Sequence, residues 1–435
     1  MTKKFDVIVV GAGPAGSAAA LTAAKDGASV ALLERGMYPG AKNCSGAGLY
    51  DTEMLERVFP GFAQDAPIER YISRKMLGFI TPNQLFSMAY QDDRKTDFPY
   101  AGYTVLRPQL DRYLAERAVQ GGATLLTETV VTDVVEKNGR VQGVICNGNE
   151  TLAGDVVIAC DGVNSFLGKK MGMVKPFQPA KMSLGVKEVI RLPRSVLEDR
   201  FLLKGNEGVA FELVGSASQN VNGGGFLYTN KDSVSIGLVA QVEDLRNKGY
   251  RPYEMLEEFK QHPVIEPMLR GGVVQEYGAH LIPEGGFDCL AQLSRNGMLI
   301  CGDAAGFVLV TGYLLLGINF AIESGALAGK TAAAAVRKGD CSAASLRAYE
   351  QKLTDCGMLE TFRHFRKAPE NAVNNPNLQN LYPEVICTLM RHLYDVGTKP
   401  IPKVSKVLLH SLQEENLKIG GLLKDVKKIG GALLW

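Results

Sequence analysis

The chain has 435 residues, 46% of them hydrophobic and 22% charged, with a formal net charge of +2. That length predicts two or three lobes with a sizeable core, and so small a net charge gives no field to hold a polyanion, which excludes nucleic acid as a partner. None of the eight cysteines lies within three residues of another, so no zinc or iron–sulfur centre, and no other metal site, is expected.

Two lysines lead directly into the first strand, which leaves no room for a signal peptide and predicts reduced cysteines in a cytosolic setting. Phe5 to Val10 is an apolar run that reads as a buried strand. Gly11, Gly13 and Gly16 then turn the chain into an Ala-rich helix beginning near Pro14. In such a strand–turn–helix the first glycine allows the turn, the second lets backbone approach a pyrophosphate, and the third lets helix and strand pack closely. Ala15 lies inside the turn. A second strand, Ser29 to Leu33, ends in Glu34-Arg35, and the Glu34 carboxylate is placed to accept hydrogen bonds from a ribose diol. The motif predicts a bound dinucleotide and by itself leaves NAD and FAD open.

Pro39 to Gly48 is a polar, glycine-rich loop containing Cys44, Ser45 and Gly46, well placed to pass a flavin ring. Cys44 is its only residue with redox chemistry of its own, and the plainer reading is a small side chain in a tight loop. Residues 60–100 read as irregular, with short strands of a second lobe. Tyr103 to Asp111 reads as a strand with Arg107 at its exit, where a guanidinium can pair with a phosphate or close over a cofactor. Thr129 to Val135, which contains Val131, and Val141 to Ile145 form a hairpin across Asn138-Gly139, a pair suited to the positive φ angles of a type I′ turn. Another strand, Asp155 to Ala159, ends in Cys160-Asp161-Gly162, which puts a carboxylate and bare backbone at a sheet's carboxyl edge.

From about Ser183 to Pro283 the pattern is antiparallel. Gly223 and Gly224 precede an aromatic patch ending at Tyr228, and His280 is one of five histidines, a residue that alone reads first as structural. A strand from Gly297 then runs into Gly302-Asp303 and Gly306, the form of a second contact with the same cofactor, in which Asp303 accepts from a ribityl chain. Residues 304–322 carry no charge. Gly306, Gly312, Gly317 and Asn319 argue against a membrane span there, and the helix expected from about Asn319 to Arg337 begins near Gly317-Ile318-Asn319. Beyond residue 340 the chain reads as helical. Its end, Glu415 to Trp435, sets leucines at near-helical spacing among lysines, which suits a helix on a membrane surface and equally one packed on a partner subunit.

Gly11/Gly13/Gly16, Glu34, Arg107, Asp161-Gly162 and Gly302-Asp303, in that order, resemble the two-lobed FAD-dependent oxidoreductases related to p-hydroxybenzoate hydroxylase and geranylgeranyl reductase. Gly40 to Gly46, Gly223 to Tyr228, Lys260 to Pro263, and Tyr277 to His280 with Pro283 to Gly286 are similar to internal signatures of the electron-transfer-flavoprotein:quinone oxidoreductase family in its short Fix-type form, over nearly the whole chain. The likeness implies FAD and an α/β fold: a Rossmann-like FAD domain (1–75, 102–180 and 287–340), an inserted antiparallel β-sheet quinone domain (76–101 and 181–286), and a helical C-terminal region (341–435). It implies electron transfer from a two-subunit electron-transfer flavoprotein to quinone at the cytoplasmic face of a membrane, within a complex that bifurcates NADH electrons. The cysteine-rich ferredoxin domain of full-length members is absent, which implies a separate ferredoxin-like iron–sulfur subunit. The quinone head group is expected near Gly223 and Gly224, with Tyr228, His280 and Phe307 as further candidates and Phe307 to Leu316 as apolar wall. No acid–base array stands out near the flavin, so the chemistry is expected to belong to the cofactor. Two other readings stay open: reduction of isoprenoid double bonds, as in geranylgeranyl reductases, and a scaffold subunit whose FAD is structural.

Overall fold

The computed structural model describes residues 4–43, 46–92, 102–176, 178–312, 314–397 and 400–433. In chain order, β1 (Lys4–Val10) is followed by α1 (Pro14–Lys25), β2 (Val30–Leu33), β3 (Ala47–Leu49), α2 (Thr52–Val58), β4 (Ile68–Ile80), β5 (Leu85–Gln91) and β6 (Tyr103–Val105). Next come α3 (Arg107–Gln120), β7 (Thr124–Leu126), β8 (Val131–Lys137), β9 (Arg140–Cys146) and β10 (Glu150–Ala159). The middle of the chain gives β11 (Met182–Arg191), β12 (Glu207–Gly215), β13 (Gly223–Thr229), β14 (Ser233–Gln241), α4 (Pro252–Gln261) and β15 (Val273–Pro283). Then follow β16 (Ser294–Arg295), β17 (Met298–Ile300), β18 (Leu309–Val310), β19 (Leu315–Leu316), α5 (Ile318–Lys338), α6 (Leu381–Tyr394), α7 (Val404–Glu414) and α8 (Ile419–Leu433), with short helical turns between.

One sheet has the order β16-β17-β10-β1-β2-β7, with the β8–β9 hairpin added beside β10. β17, β10, β1, β2 and β7 run parallel, so their carboxyl ends share one edge, the edge where ligands collect in such sheets. Val7 to Val10 and Val30 to Leu33 are buried, as continuous apolar runs should be in strands covered on both faces. Asn138 (φ 52°) and Gly139 (φ 71°) make the expected hairpin turn.

The helices α1 and α5 lie against each other with almost nothing between them. A Cβ built on Gly325 would stand 2.0 Å from the Ala15 carbonyl oxygen, and one on Gly329 2.2 Å from that of Ala19. Thr22 Oγ1 adds a 2.9 Å hydrogen bond to the Ala326 carbonyl. Alanines in these positions are incompatible with the packing.

The second sheet has the order β15-β11-β14-β13-β12-β4-β6-β3, with β5 on β4. Its pairs are antiparallel apart from β12 with β4. Phe211, Leu213, Leu227 and Ile236 on one face form a separate core with Met255, Leu256 and Phe259 of α4. The region expected to hold short irregular strands is dominated by the 13-residue β4, and the boundary expected at residue 75 falls inside that strand. β6 also joins this sheet. Beyond α5 the chain is helical, and Val385, Leu412 and Leu417 tie α6, α7 and the approach to α8 into a third small core.

Candidate functional site

A cavity of about 850 Å³ lies between the carboxyl edge of the first sheet and one face of the second. The β1–α1 turn forms one end. Gly11 has φ +101°, and a Cβ there would meet the Cys160 carbonyl oxygen at 2.4 Å. A Cβ on Gly16 would fall 1.8 Å from the Gly11 oxygen, so this residue supports the turn from behind. Gly13 differs from both: a Cβ on it meets nothing within 4 Å, because the space above it is the cavity. It is also the N-cap of α1, with no side chain bonded to the helix's first amides and Pro14 at the first position. Free amides at a helix start form an anion site, and the open space over Gly13 is the cradle that a pyrophosphate requires.

Glu34 extends β2 into the same end. Its Oε2 accepts from the Ala12 amide at 3.2 Å and its Oε1 from the Gly36 amide at 2.7 Å. Arg35 and Val131 line the cavity beside it. At the end of β10, Asp161 Oδ2 accepts from the Leu167 amide at 3.0 Å. Its buried Oδ1 has no protein partner, and burial pushes this carboxyl above its ordinary range. Asp303 follows β17, also raised by burial, with His280 and Arg107 pulling in the opposite direction. The start of α5, Gly317-Ile318-Asn319, faces the cavity without a side-chain cap. Two helix starts therefore point into one space, and the cradle, the acid at the end of β2 and the orphaned carboxyl oxygen fit FAD.

The middle of the cavity is bounded by the second sheet. Leu77 and Phe79 of β4, Val214 of β12 and Phe226 of β13 supply apolar wall, opposite Val308, Val310 and Leu314 to Leu316 around the β18–β19 hairpin. Gly223, Gly224, Tyr228 and the exposed His280 border it too. The amides of the glycine run are not simply exposed, because they belong to the β13–β14 ladder. A Cβ on Gly223 would stand 1.8 Å from the Val239 oxygen, and Gln379 Nε2 donates to the Gly223 carbonyl. Strand packing alone thus requires Gly223.

Of the residues read from the sequence, Gly11, Gly13, Pro14, Ala15, Glu34, Arg35, Gly46, Arg107, Val131, Asp161, Gly162, Asp303, Gly317, Ile318 and Asn319 meet at the cavity. Phe307 does not: it is fully buried with its ring edge-on to Phe362 at 5.6 Å, so the wall begins at Val308. Gly302 sits behind the wall, its amide held by Ser324 Oγ at 3.0 Å. Gly306 ends a helical turn at φ +86°, packed on Cys289. Both shape the Asp303 turn from outside the cavity. Cys44 and Ser45 lie outside the described residues.

Four residues that the sequence did not single out matter here. Asp111, fully buried, takes two hydrogen bonds from Arg107 and one from Asn43. Lys187 Nζ donates to the Gly46 carbonyl at 2.9 Å and fixes the loop. Glu212 accepts from Tyr228 Oη at 2.9 Å in the apolar wall, and burial pushes its carboxyl up to about 7. Glu284 behaves likewise at the far end, up to about 7 with Ser183 as its donor. A charged residue inside the run Val209-Ala-Phe-Glu-Leu-Val214 was the available signal for Glu212. Away from the cavity, His392, His410 and Glu414 converge on α6 and α7, and Arg391 already holds Glu414.

Residues 6–164 match the family of FAD dependent oxidoreductases, and residues 182–282 match the ubiquinone-binding family of ETF-QO. Protein FixC of Salmonella typhi is 43% identical over 424 residues, 97% of each chain. The probable electron transfer flavoprotein-quinone oxidoreductase YdiS of Escherichia coli (strain K12) is 42% identical over 432 residues, 99% of each. Among solved structures, the geranylgeranyl bacteriochlorophyll reductase-like protein of Thermoplasma acidophilum superposes with a TM-score of 0.72, covering 98% of this chain and 99% of that one. Its identity is 19%, and the likeness shows the fold alone.

Proposed function

We infer the function from one premise: this chain belongs to the FAD-dependent oxidoreductase family of the FixC proteins and the electron transfer flavoprotein–quinone oxidoreductases. FAD is its cofactor, and when bound it supplies the redox chemistry. We assign the adenosine diphosphate end to Gly11 through Ala15, with Glu34 at the ribose, and the ribityl chain to Asp303. The start of α5, at Gly317 to Asn319, faces the polar edge of the flavin, and Arg107, Asp161-Gly162 and the loop bearing Gly46 enclose the rest.

The reaction is electron transfer from an electron-transfer flavoprotein to a quinone. The observation that carries it is the joining of two unlike regions in one cavity, a nucleotide cradle at the parallel edge and an apolar slot on the second sheet. The quinone ring lies in that slot by Gly223, Gly224, Tyr228 and His280. A two-subunit flavoprotein donates the electrons, a separate ferredoxin-like subunit takes the other branch, and NADH is the source for both. No helix among the described residues is long and apolar enough to cross a membrane. Yet Val404, Leu408, Ile419, Leu423 and Val426 are exposed on α7 and α8 among exposed lysines, which supports peripheral contact with a bilayer's cytoplasmic side.

The test is the chain assembled with its partner subunits, supplied with NADH and a soluble quinone analogue. Quinone-dependent reoxidation of the flavin is the expected result, and its absence in a complex whose flavin does become reduced overturns the reading.

A further inference from the structure

We propose that Glu212, hydrogen-bonded by Tyr228, is the proton donor to a quinone oxygen in this cavity. The inference rests on the quinone reading above and adds a residue and a role to it.

The position follows from register. Glu212 sits on β12 opposite Leu77 of β4 and Phe226 of β13, and Val214, two residues on, sits opposite Phe79. Side chains alternate between the faces of a strand. Phe211 and Leu213 therefore enter the second core, while Glu212 and Val214 share the cavity face with Leu77 and Phe79. Gly224 lies on the neighbouring strand two residues before Phe226, one position past the Leu213–Gly225 pair. The carboxyl is thus one diagonal neighbour from Gly224, beside which the quinone ring is placed, a residue spacing of roughly 7–8 Å that side chain and ring close.

A carboxyl in an apolar wall is costly to keep. Two other buried acids of this chain are matched to cations, Asp111 with Arg107 and Glu188 with Lys260 at 2.8 Å. Glu212, like Glu284 with Ser183, has a neutral hydroxyl as its hydrogen-bond partner, and of the two it is Glu212 that lies beside the glycines of β13. The groups facing it are Tyr228 from β13, Lys75 from β4, and Tyr50 from the segment before α2. Lys75 Nζ stands 4.7 Å from the centre of the Tyr50 ring. Burial pushes the Glu212 carboxyl up to about 7, with the Tyr228 hydrogen bond and Lys75 opposing. The phenols of Tyr228 and Tyr50 are both pushed up and stay protonated. The result is an acid poised near neutral pH at the edge of an apolar slot, the balance that proton transfer favours.

The step balances as follows. FAD, when bound and reduced, would supply two electrons and one proton to the quinone, and Glu212 would supply the second proton. Both C=O groups end as C–OH, and the Glu212 carboxylate regains its proton from solvent.

The test uses the assembled complex carrying Glu212→Gln, with Glu212→Asp as the conservative partner, and compares two acceptors across pH. One is a quinone analogue, which needs protons. The other is ferricenium, which takes an electron and no proton. Glu212→Gln is expected to slow quinone reduction on the order of 100-fold and to remove the titration near pH 7. Ferricenium reduction, bound-flavin absorbance and the spectral shift on quinone binding are expected to hold, and Glu212→Asp to restore most of the rate. Quinone reduction with wild-type rate and pH profile in Glu212→Gln overturns the proposal and leaves the quinone reading standing. A parallel fall with both acceptors also overturns it, since it makes Glu212 a support for the cofactor. A wild-type complex that reduces ferricenium and never quinone overturns the functional reading, and this proposal with it.

Discussion

Arg107 and Asp111, one helical turn apart on α3, face each other through two parallel hydrogen bonds, Nε to Oδ1 at 2.8 Å and Nη2 to Oδ2 at 3.0 Å. The carboxylate is fully buried while the guanidinium borders the cavity. A forked pair of this kind fixes direction as well as charge. Asp111→Ala is expected to lower folding stability by about 2–3 kcal/mol and to weaken FAD binding at least tenfold. Denaturant unfolding and a flavin-fluorescence titration check the two effects separately, and unchanged FAD affinity would remove Arg107 from the cofactor site.

The two glycines of the opening turn should fail in different ways. Gly13 has φ −79° and open space beyond it, so Gly13→Val is expected to fold with an apoprotein stability within about 0.5 kcal/mol of wild type. Its FAD affinity is expected to fall at least tenfold, because the new side chain fills the cradle. Gly11→Ala combines a positive φ with a 2.4 Å approach to the Cys160 oxygen, and it should lose stability with or without ligand. Thermal melts of the apo and loaded forms distinguish the two.

Glu284 gives a pH-dependent prediction. Burial raises its folded-state value to about 7, whereas in the unfolded chain it titrates in the ordinary carboxylate range. Its ionisation therefore opposes folding progressively as pH rises from about 4.5 to 7, and by a constant amount above that. Glu284→Gln is expected to be more stable than wild type at pH 8, by up to about 3 kcal/mol, and indistinguishable at pH 4.5. Chemical denaturation at both values is the check; an equal difference at the two pH values would contradict the assignment.

The exposed apolar stripe on α7 and α8 is tested by Leu423→Glu with Val426→Glu. Both side chains are more than half exposed, so the fold should be indifferent to them. Co-sedimentation with vesicles containing anionic lipid is expected to drop severalfold. Unaltered sedimentation, together with lost co-purification of partner subunits, would assign the stripe to protein contact.

The glycine turn, Glu34 at the end of β2, the Asn138-Gly139 hairpin and the arrival of Asp303 at the cavity were legible in the sequence because each depends on a few adjacent residues with special backbone or charge. β4 was not, because its charges look like loop residues until tertiary partners are seen. Arg70, almost wholly buried, donates to the carbonyls of Asn230, Gly205 and Glu207, far along the chain. Phe307 illustrates the opposite error: the apolar run Phe307 to Leu316 suggested a cavity wall from its first residue, and packing on Phe362 turned Phe307 inward. Glu212 and Glu284 are separated from the cofactor motifs by whole strands, and only register brings them to the same space.

The contact between Gly325 and Ala15 sets more than the density of the core. α1 and α5 touch backbone to backbone at Gly325 and Gly329, Thr22 Oγ1 adds a hydrogen bond across the contact, and each helix presents its first turn to the cavity. The spacing between the two helix starts is therefore a fixed length, a built-in gauge. With the cofactor placed as proposed above, a nucleotide long enough to reach both satisfies two sets of amides at once, and a shorter one leaves one set to water.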